Sequence, residues 1–344
     1  MKRFPHGTLP DGRIVEALTL ESQGGMTMQV ITYGATITSL QVPDRNGKLA
    51  DVVLGFSDLA GYLAPHPYMG ALIGRVAGRI RGAEIIVDGT HHSLAANDPP
   101  NHLHGGRSGF DRRLWVPGHV ADDSVELTCF SPDGEEGYPG SVETRVTYTI
   151  TGDHVLKVET EATTDRATPL SLTQHSYFNL AGEGRGTIEG HDLQIHAKTY
   201  APTDDRLTLL GEQVAVGKND FQRPRQLGTV LPDLHLAHGD LYFLRAPCDE
   251  VLEPELKDAA RLYEPISGRC LTVSTTEACL QLYTGVALDG TLVGKSGHSY
   301  GPHAGLCLEC EGYPDGVRTP SLGDIILRPG HTYRQTTLYA FSTT

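Results

Sequence analysis

Basic residues are scarce in this chain of 344 residues: 28 Lys and Arg stand against 42 Asp and Glu, for a formal net charge of −14. Long-range repulsion of that sign opposes binding to phosphate backbones or anionic lipid surfaces, so neither nucleic acid nor a membrane is an expected partner. The chain also lacks any apolar run long enough to span a bilayer, and Met1-Lys2-Arg3-Phe4-Pro5-His6-Gly7 has two basic residues with no apolar stretch behind them. A cytoplasmic enzyme is the expectation. With hydrophobic residues at 39% and charged residues at 20%, there is enough apolar material for a core and too little charge for disorder.

Cysteine is sparse and dispersed. Cys129, Cys248, Cys270, Cys279, Cys307 and Cys310 lie far apart except for the last two, and a chain of this size needs no disulfide framework, so reduced and mostly buried thiols are expected. Cys307-x-x-Cys310 has no second CxxC and falls in an expected strand, where residues three apart point to opposite faces, which argues against a zinc or redox role. There is no tandem repeat, low-complexity tract or linker-like shift in composition. One domain over 1–344 is expected.

Forty glycines and twenty-one prolines punctuate the chain, and period-2 alternation fills the intervals. Val125, Leu127 and Cys129 alternate with Glu126 and Thr128. Val142, Val146, Tyr148 and Ile150 oppose Glu143 and Arg145, and Leu156, Val158 and Ala162 oppose Lys157, Glu159 and Glu161, so each segment reads as a half-buried strand. Asp88-Gly89 predicts a tight hairpin within Ile85–Leu94. Further strands are expected over Leu193–Ala197, Leu271–Thr275, Cys279–Tyr283, Gly305–Glu311 and Gln335–Phe341. Helix is expected only in one or two short pieces such as Phe56–Leu63, with Ser57 as N-cap. The fold class is all-β, a large antiparallel β-sandwich with Gly-rich loops that can carry a site.

Residues able to do chemistry gather in four segments. Gly74-Arg75-Val76-Ala77-Gly78-Arg79 sets two arginines around small residues; taken alone, arginines at that spacing are usually surface charges. Asn101-His102-Leu103-His104-Gly105-Gly106 contains an H-x-H pair, which on a strand puts two imidazoles on one side and invites a metal, but only Asp111 follows at short spacing to complete a site. Its glycines suit close approach of the backbone to a ligand, with His104 as donor. Gln174-His175-Ser176-Tyr177-Phe178-Asn179 surrounds a histidine with aromatics, an arrangement suited to proton transfer in a shielded place. In Gly305–Gly316, Glu309 and Glu311 share the strand face opposite Leu306 and Leu308, and parity does not separate them. A carboxylate so close to an apolar run can be buried and basic.

In combination these segments resemble the aldose 1-epimerases, or galactose mutarotases. The resemblance runs in order along nearly the whole chain: Gly74-Arg75-x-Ala77-x-Arg79-Ile80; Leu103-His104-Gly105-Gly106 with Gly109-Phe110-Asp111 and Trp115; His175-Ser176-Tyr177-Phe178-Asn179-Leu180-Ala181-Gly182; Gln281-x-Tyr283-Thr284-Gly285; and Leu308-Glu309 followed by Pro314-Asp315. It implies a β-supersandwich, no cofactor and no metal, a monosaccharide substrate, and a monomer or homodimer. It implies His175 as general acid and Glu309 as general base, with Arg79, His104, Asp240 and Gln281 binding the sugar and His104 near the ring oxygen. Two departures imply an altered pocket for the hydroxyls: Gly78 replaces an expected Asn, and Leu241-Tyr242 replace an expected His and Asn.

Such an enzyme removes the proton on O1 while protonating ring O5, with Tyr177 and Phe178 expected to limit water. A glycoside hydrolase is the first rival and needs two carboxylates across a glycosidic bond. A non-catalytic sugar-binding or sensor module would keep the binding residues and drop the acid or base. An epimerase of phosphorylated hexoses would favour extra arginines in the pocket.

Overall fold

The computed structural model describes residues 2–233, 239–245 and 255–344. Three antiparallel sheets dominate it. Strands Lys2–Thr8, Ile14–Glu21, Thr27–Ile31, Thr36–Pro43 and Leu49–Asp51 form a five-stranded meander in chain order. A nine-stranded sheet places Val116–Val120, Ser124–Ser131, Val142–Ile150 and Val155–Thr164 beside the C-terminal Tyr333–Thr343, which then leads to Arg269–Thr275, Lys257–Tyr263, Asp192–Ile195 and Arg225–Gln226. The third sheet orders Val214–Ala215, Thr199–Ala201, Asp240–Phe243, Cys279–Tyr283 and Cys307–Glu311.

Alternation decides where the core lies. Leu18, Leu20, Met28 and Val30 of the meander, Val125, Leu127, Val146, Tyr148, Leu156 and Val158 of the large sheet, and Tyr242, Leu280, Leu282, Leu308 and Cys310 of the third sheet all belong to one buried cluster. Apolar faces of all three sheets are therefore removed from water together, the main stabilising term of a sandwich. The third sheet is apolar on this inner face and carries Cys307, Glu309, Glu311 and Gln281 on the other.

The Asp88-Gly89 hairpin forms as expected: Val87 pairs with Thr90, and φ is +48° at Asp88 and +78° at Gly89. Cys279–Tyr283 has the expected bounds, and Tyr333–Thr343 extends the expected C-terminal strand at both ends. The helix is shorter than expected, Leu59–Leu63, and its N-cap is Asp58 rather than Ser57, with the Asp58 carboxylate accepting from Gly61 N at 3.1 Å. Cys129, Cys270, Cys279, Cys307 and Cys310 are free and buried, and Cys248 lies outside the described residues. Cys307 belongs to a smaller buried cluster that includes Tyr177 while Cys310 enters the main core, so the two thiols point apart.

Candidate active site

Glu309 sits at the centre of its strand, directly opposite Gln281, which in turn faces Leu241 on the next strand. These three residues form a row across the floor of a cleft of about 250 Å³, whose walls include Tyr68, Arg79, His104, His175, Tyr177 and Tyr283. His175 enters from a separate pair of short strands: its N–H donates to Ala71 O at 2.9 Å, and its carbonyl accepts from Gly70 N at 2.9 Å. With the backbone clamped on both sides, the ring reaches Glu309, with Nε2 and Oε2 3.5 Å apart. That spacing is a contact; Oε2 forms no hydrogen bond among the described residues.

His104 arrives on a turn that only glycine can complete. φ is +52° at His104 and +85° at Gly105, and a Cβ on Gly105 would overlap the carbonyl oxygen of Gly74. Gly78 N–H donates to His104 Nδ1 at 3.1 Å, which leaves the proton of the neutral ring on Nε2. The ring then stands edge-on to Tyr68 and to His175, with centroids 4.6 and 5.3 Å apart.

Burial sets the charges here. It lowers His175 to about 4 and His104 well below the ordinary value, the latter helped by repulsion from His175 and Arg79. Burial also raises the Glu309 carboxyl well above the carboxylate range, opposed by the attraction of Arg79. Arg79 itself donates to Asp98 at 2.7 Å and keeps part of its side chain exposed to the cleft.

His104, His175 and Glu309 present donor atoms within 4.8 Å of one another, close enough to hold a cation. The tautomer of His104 argues against it. A ring nitrogen that ligates a metal needs a free lone pair, and with Nδ1 already accepting from Gly78 only an imidazolate would leave one on Nε2. The H-x-H pair is not a shared site either. The positive φ at His104 breaks the strand, and His102 is turned into the interior, its Nδ1 2.7 Å from Ala95 O and its Nε2 2.8 Å from Tyr138 OH.

Other expectations need correction. Leu241 faces Gln281 and lines the cleft, and its neighbour Asp240 pairs with Leu282, with one Asp240 oxygen buried without a partner among the described residues. Of the two arginines in the first motif only Arg79 reaches the cleft. Arg75 is buried and donates to the carbonyls of Ser131, Pro132 and Pro139, a structural role and not a surface charge. Tyr177 walls the cleft, but Phe178 packs against Tyr339 and Phe341 in the core. Gly78 also has a local reason: φ is +78°, and a Cβ there would overlap the ring of Pro314. Glu311 lies beneath it, fully buried, with neither carboxyl oxygen hydrogen-bonded among the described residues. Tyr68 was not singled out in the sequence, since it lies in a Pro-rich loop at φ +58°, outside any periodic pattern.

A family profile described as Aldose 1-epimerase matches residues 16–340. The chain is 45% identical to a galactose mutarotase of Homo sapiens over 343 residues, 99% of this chain and 98% of that one. It is 32% identical to an aldose 1-epimerase of Escherichia coli strain K12, with 96% of each chain covered. Among solved structures it is similar to a GalM/aldose epimerase homologue from C. elegans, with a TM-score of 0.88, 29% identity, and 95% of this chain and 99% of the other covered. A galactose 1-epimerase from Lactobacillus acidophilus NCFM is similar at a TM-score of 0.83 and 26% identity, covering 99% and 98%.

Proposed function

This chain belongs to the aldose 1-epimerase family, and we infer from that membership and from its cleft that it interconverts the α and β anomers of a free aldose. The observation that carries the mechanism is the contact of Glu309 with His175 in a buried cleft. O1 and O5 of an aldose are bonded to the same carbon, so an acid and a base that serve them must stand side by side. Glu309 takes the proton of O1, and His175 Nε2 delivers one to O5. The C1–O5 bond breaks, a carbonyl forms at C1, and rotation about C1–C2 lets the ring reclose from the other face with both transfers reversed.

This proton inventory closes without any other reagent. Opening converts the charged pair, carboxylate and imidazolium, into the neutral pair, carboxyl and imidazole. Burial favours that neutral pair, lowering His175 and raising Glu309, so the cleft stabilises the stage at which the open chain exists. Each transfer contributes roughly 10²- to 10⁴-fold. His104 offers an N–H, and Arg79 a positive charge, to oxygens that gain charge as the ring opens. Gln281, beside Glu309, positions the sugar. Glu309 and Glu311 lie on one face of one strand, with Glu311 closed off from the cleft, which does not suit the two flanking carboxylates of a glycoside hydrolase.

The protein acts as one unit over its length, supported by a main cluster that draws residues from Leu18 to Phe341. It works in the cytoplasm, supported by its free buried thiols; among the described residues no helix is long and apolar enough to cross a membrane. Polarimetry of freshly dissolved α-D-galactose and α-D-glucose tests the activity. Relaxation faster than in buffer, in proportion to protein, is expected, and relaxation at the buffer rate with every aldose would contradict it.

A further inference from the structure

Arg79 reaches the cleft from the short strand Arg79–Ile80, and a group outside the cleft holds it there. Its Nε–H donates to Asp98 at 2.7 Å, and among the described residues nothing else forms a hydrogen bond with the guanidinium. Asp98 stands outside the cleft lining, in a shallower hollow that shares Arg79 and Leu207 with the cleft. A stiff turn aims it. Asp98 and Asn101 exchange both backbone hydrogen bonds, at 2.7 and 3.2 Å, around Pro99-Pro100, whose rings fix φ. The turn is pinned at both ends. Asn97 exchanges hydrogen bonds with the backbone of Leu103, the residue paired with Arg79, and the buried Asn101 accepts from Gly82 N and donates to Thr208. The mechanism above uses the charge of Arg79 and leaves Asp98 without a role.

We propose that Asp98 is a positioning residue for the reaction: by taking the Nε–H it restricts the plane of the Arg79 guanidinium and turns the terminal nitrogens to the sugar oxygens that gain charge as the ring opens. The inference rests on the anomerase reading of the same cleft. An arginine side chain has several rotatable bonds, and without a partner it spreads over many rotamers. The guanidinium is a rigid planar fork, so a hydrogen bond at Nε limits the directions open to the remaining donors. Stability does not account for the pair. The Asp98 side chain is 39% exposed, and an ion pair so open to water contributes little to folding. The carboxylate also offsets part of the charge of Arg79, so a gain in rate from the pair comes from direction and not from added field. A cation that stabilises developing charge works best when it already points at it, since a group that must swing into place during the reaction loses much of its effect.

Variants at positions 98 and 79 test this by steady-state kinetics on galactose. In Asp98→Ala the guanidinium loses its tether, and kcat falls by about tenfold with KM changed less than about threefold. Asp98→Asn, whose amide oxygen accepts the Nε–H, recovers kcat to within about threefold of wild type. In an Arg79→Ala background, which keeps the acid and the base, Asp98→Ala changes kcat by less than about twofold, because a residue that acts through Arg79 has nothing left to position. A merely structural role would carry its loss into that background. The proposal is overturned if Asp98→Ala keeps the wild-type kcat, if Asp98→Asn is as impaired as Asp98→Ala, or if the loss persists without Arg79. Should Asp98→Ala fail to fold, Asp98→Ser, whose side chain keeps the turn polar and stops short of Nε, is read by the same outcomes. An active wild type with an unaltered Asp98→Ala removes this inference only, whereas an inactive wild type removes the reading it rests on.

Discussion

Glu309, on the Cys307–Glu311 strand, and His175, just after the short Thr173–Gln174 strand, meet through Oε2 and Nε2 at 3.5 Å, with both side chains nearly closed to solvent. Their proximity makes the pair, not either group, the unit that titrates.

The pH dependence follows from the directions of the two shifts. The productive state carries one proton on the pair. Adding a second removes the base, and because burial holds His175 at about 4, the acid limb of kcat lies near that value. Losing the single proton removes the acid, and because burial raises Glu309, the alkaline limb lies well above the ordinary carboxylate value of 4.5. A plateau through neutrality is expected in polarimetric pH profiles. An acid limb at the ordinary histidine value of 6.5 would contradict it.

Glu311 is expected to lower stability at alkaline pH. Burial first, then the charges of Glu309 and Glu277, raise its folded-state pKa above the unfolded value. Stability from its neutral form is complete below the unfolded value and is lost as pH rises through the folded one. Glu311→Gln removes that loss, so melting temperatures measured at alkaline pH should rise by about 2 °C or more over wild type, with little change in mildly acidic buffer.

The two sides of the third sheet should behave differently on substitution. Gln281 lies in the cleft beside Glu309, so Gln281→Ala is expected to raise KM roughly fivefold, the equivalent of one hydrogen bond of about 1 kcal/mol. Asp240 shares the face of Leu282, and Asp240→Asn should leave KM within about twofold. Steady-state kinetics on galactose and glucose check both, and a larger effect at Asp240 would show that its carboxyl turns toward the sugar.

Chelation is a simple control on the donor cluster. With Nδ1 of His104 occupied by Gly78 N–H, EDTA should leave the rate unchanged, and dialysis with chelator followed by polarimetry measures this.

The strands were legible because period-2 alternation reports directly on which face is buried, as in Val142–Ile150, where every second residue is buried. The residues proposed here as acid and base, His175 and Glu309, stand out in the sequence through a motif resemblance. Parity places Glu309 and Glu311 together, but only the structure shows that the second is fully buried against Gly78 while the first opens to the cleft. Loops defeated the reading where local backbone angles decide. The positive φ at His104 separates it from His102, and Tyr68 owes its place beside two imidazoles to a left-handed turn. A shift of one residue along a strand reverses the face, which is why Leu241 and not Asp240 faces Gln281.

The central claim, that Glu309 and His175 act together on one anomeric centre, is tested most directly by polarimetry on Glu309→Gln, His175→Asn and the double variant. Each single change should lower kcat by roughly 10²- to 10⁴-fold, and the double variant should be little worse than the poorer single one, since removing either partner disables the pair. Singles that retain wild-type rates, or losses that multiply in the double variant, would contradict the account.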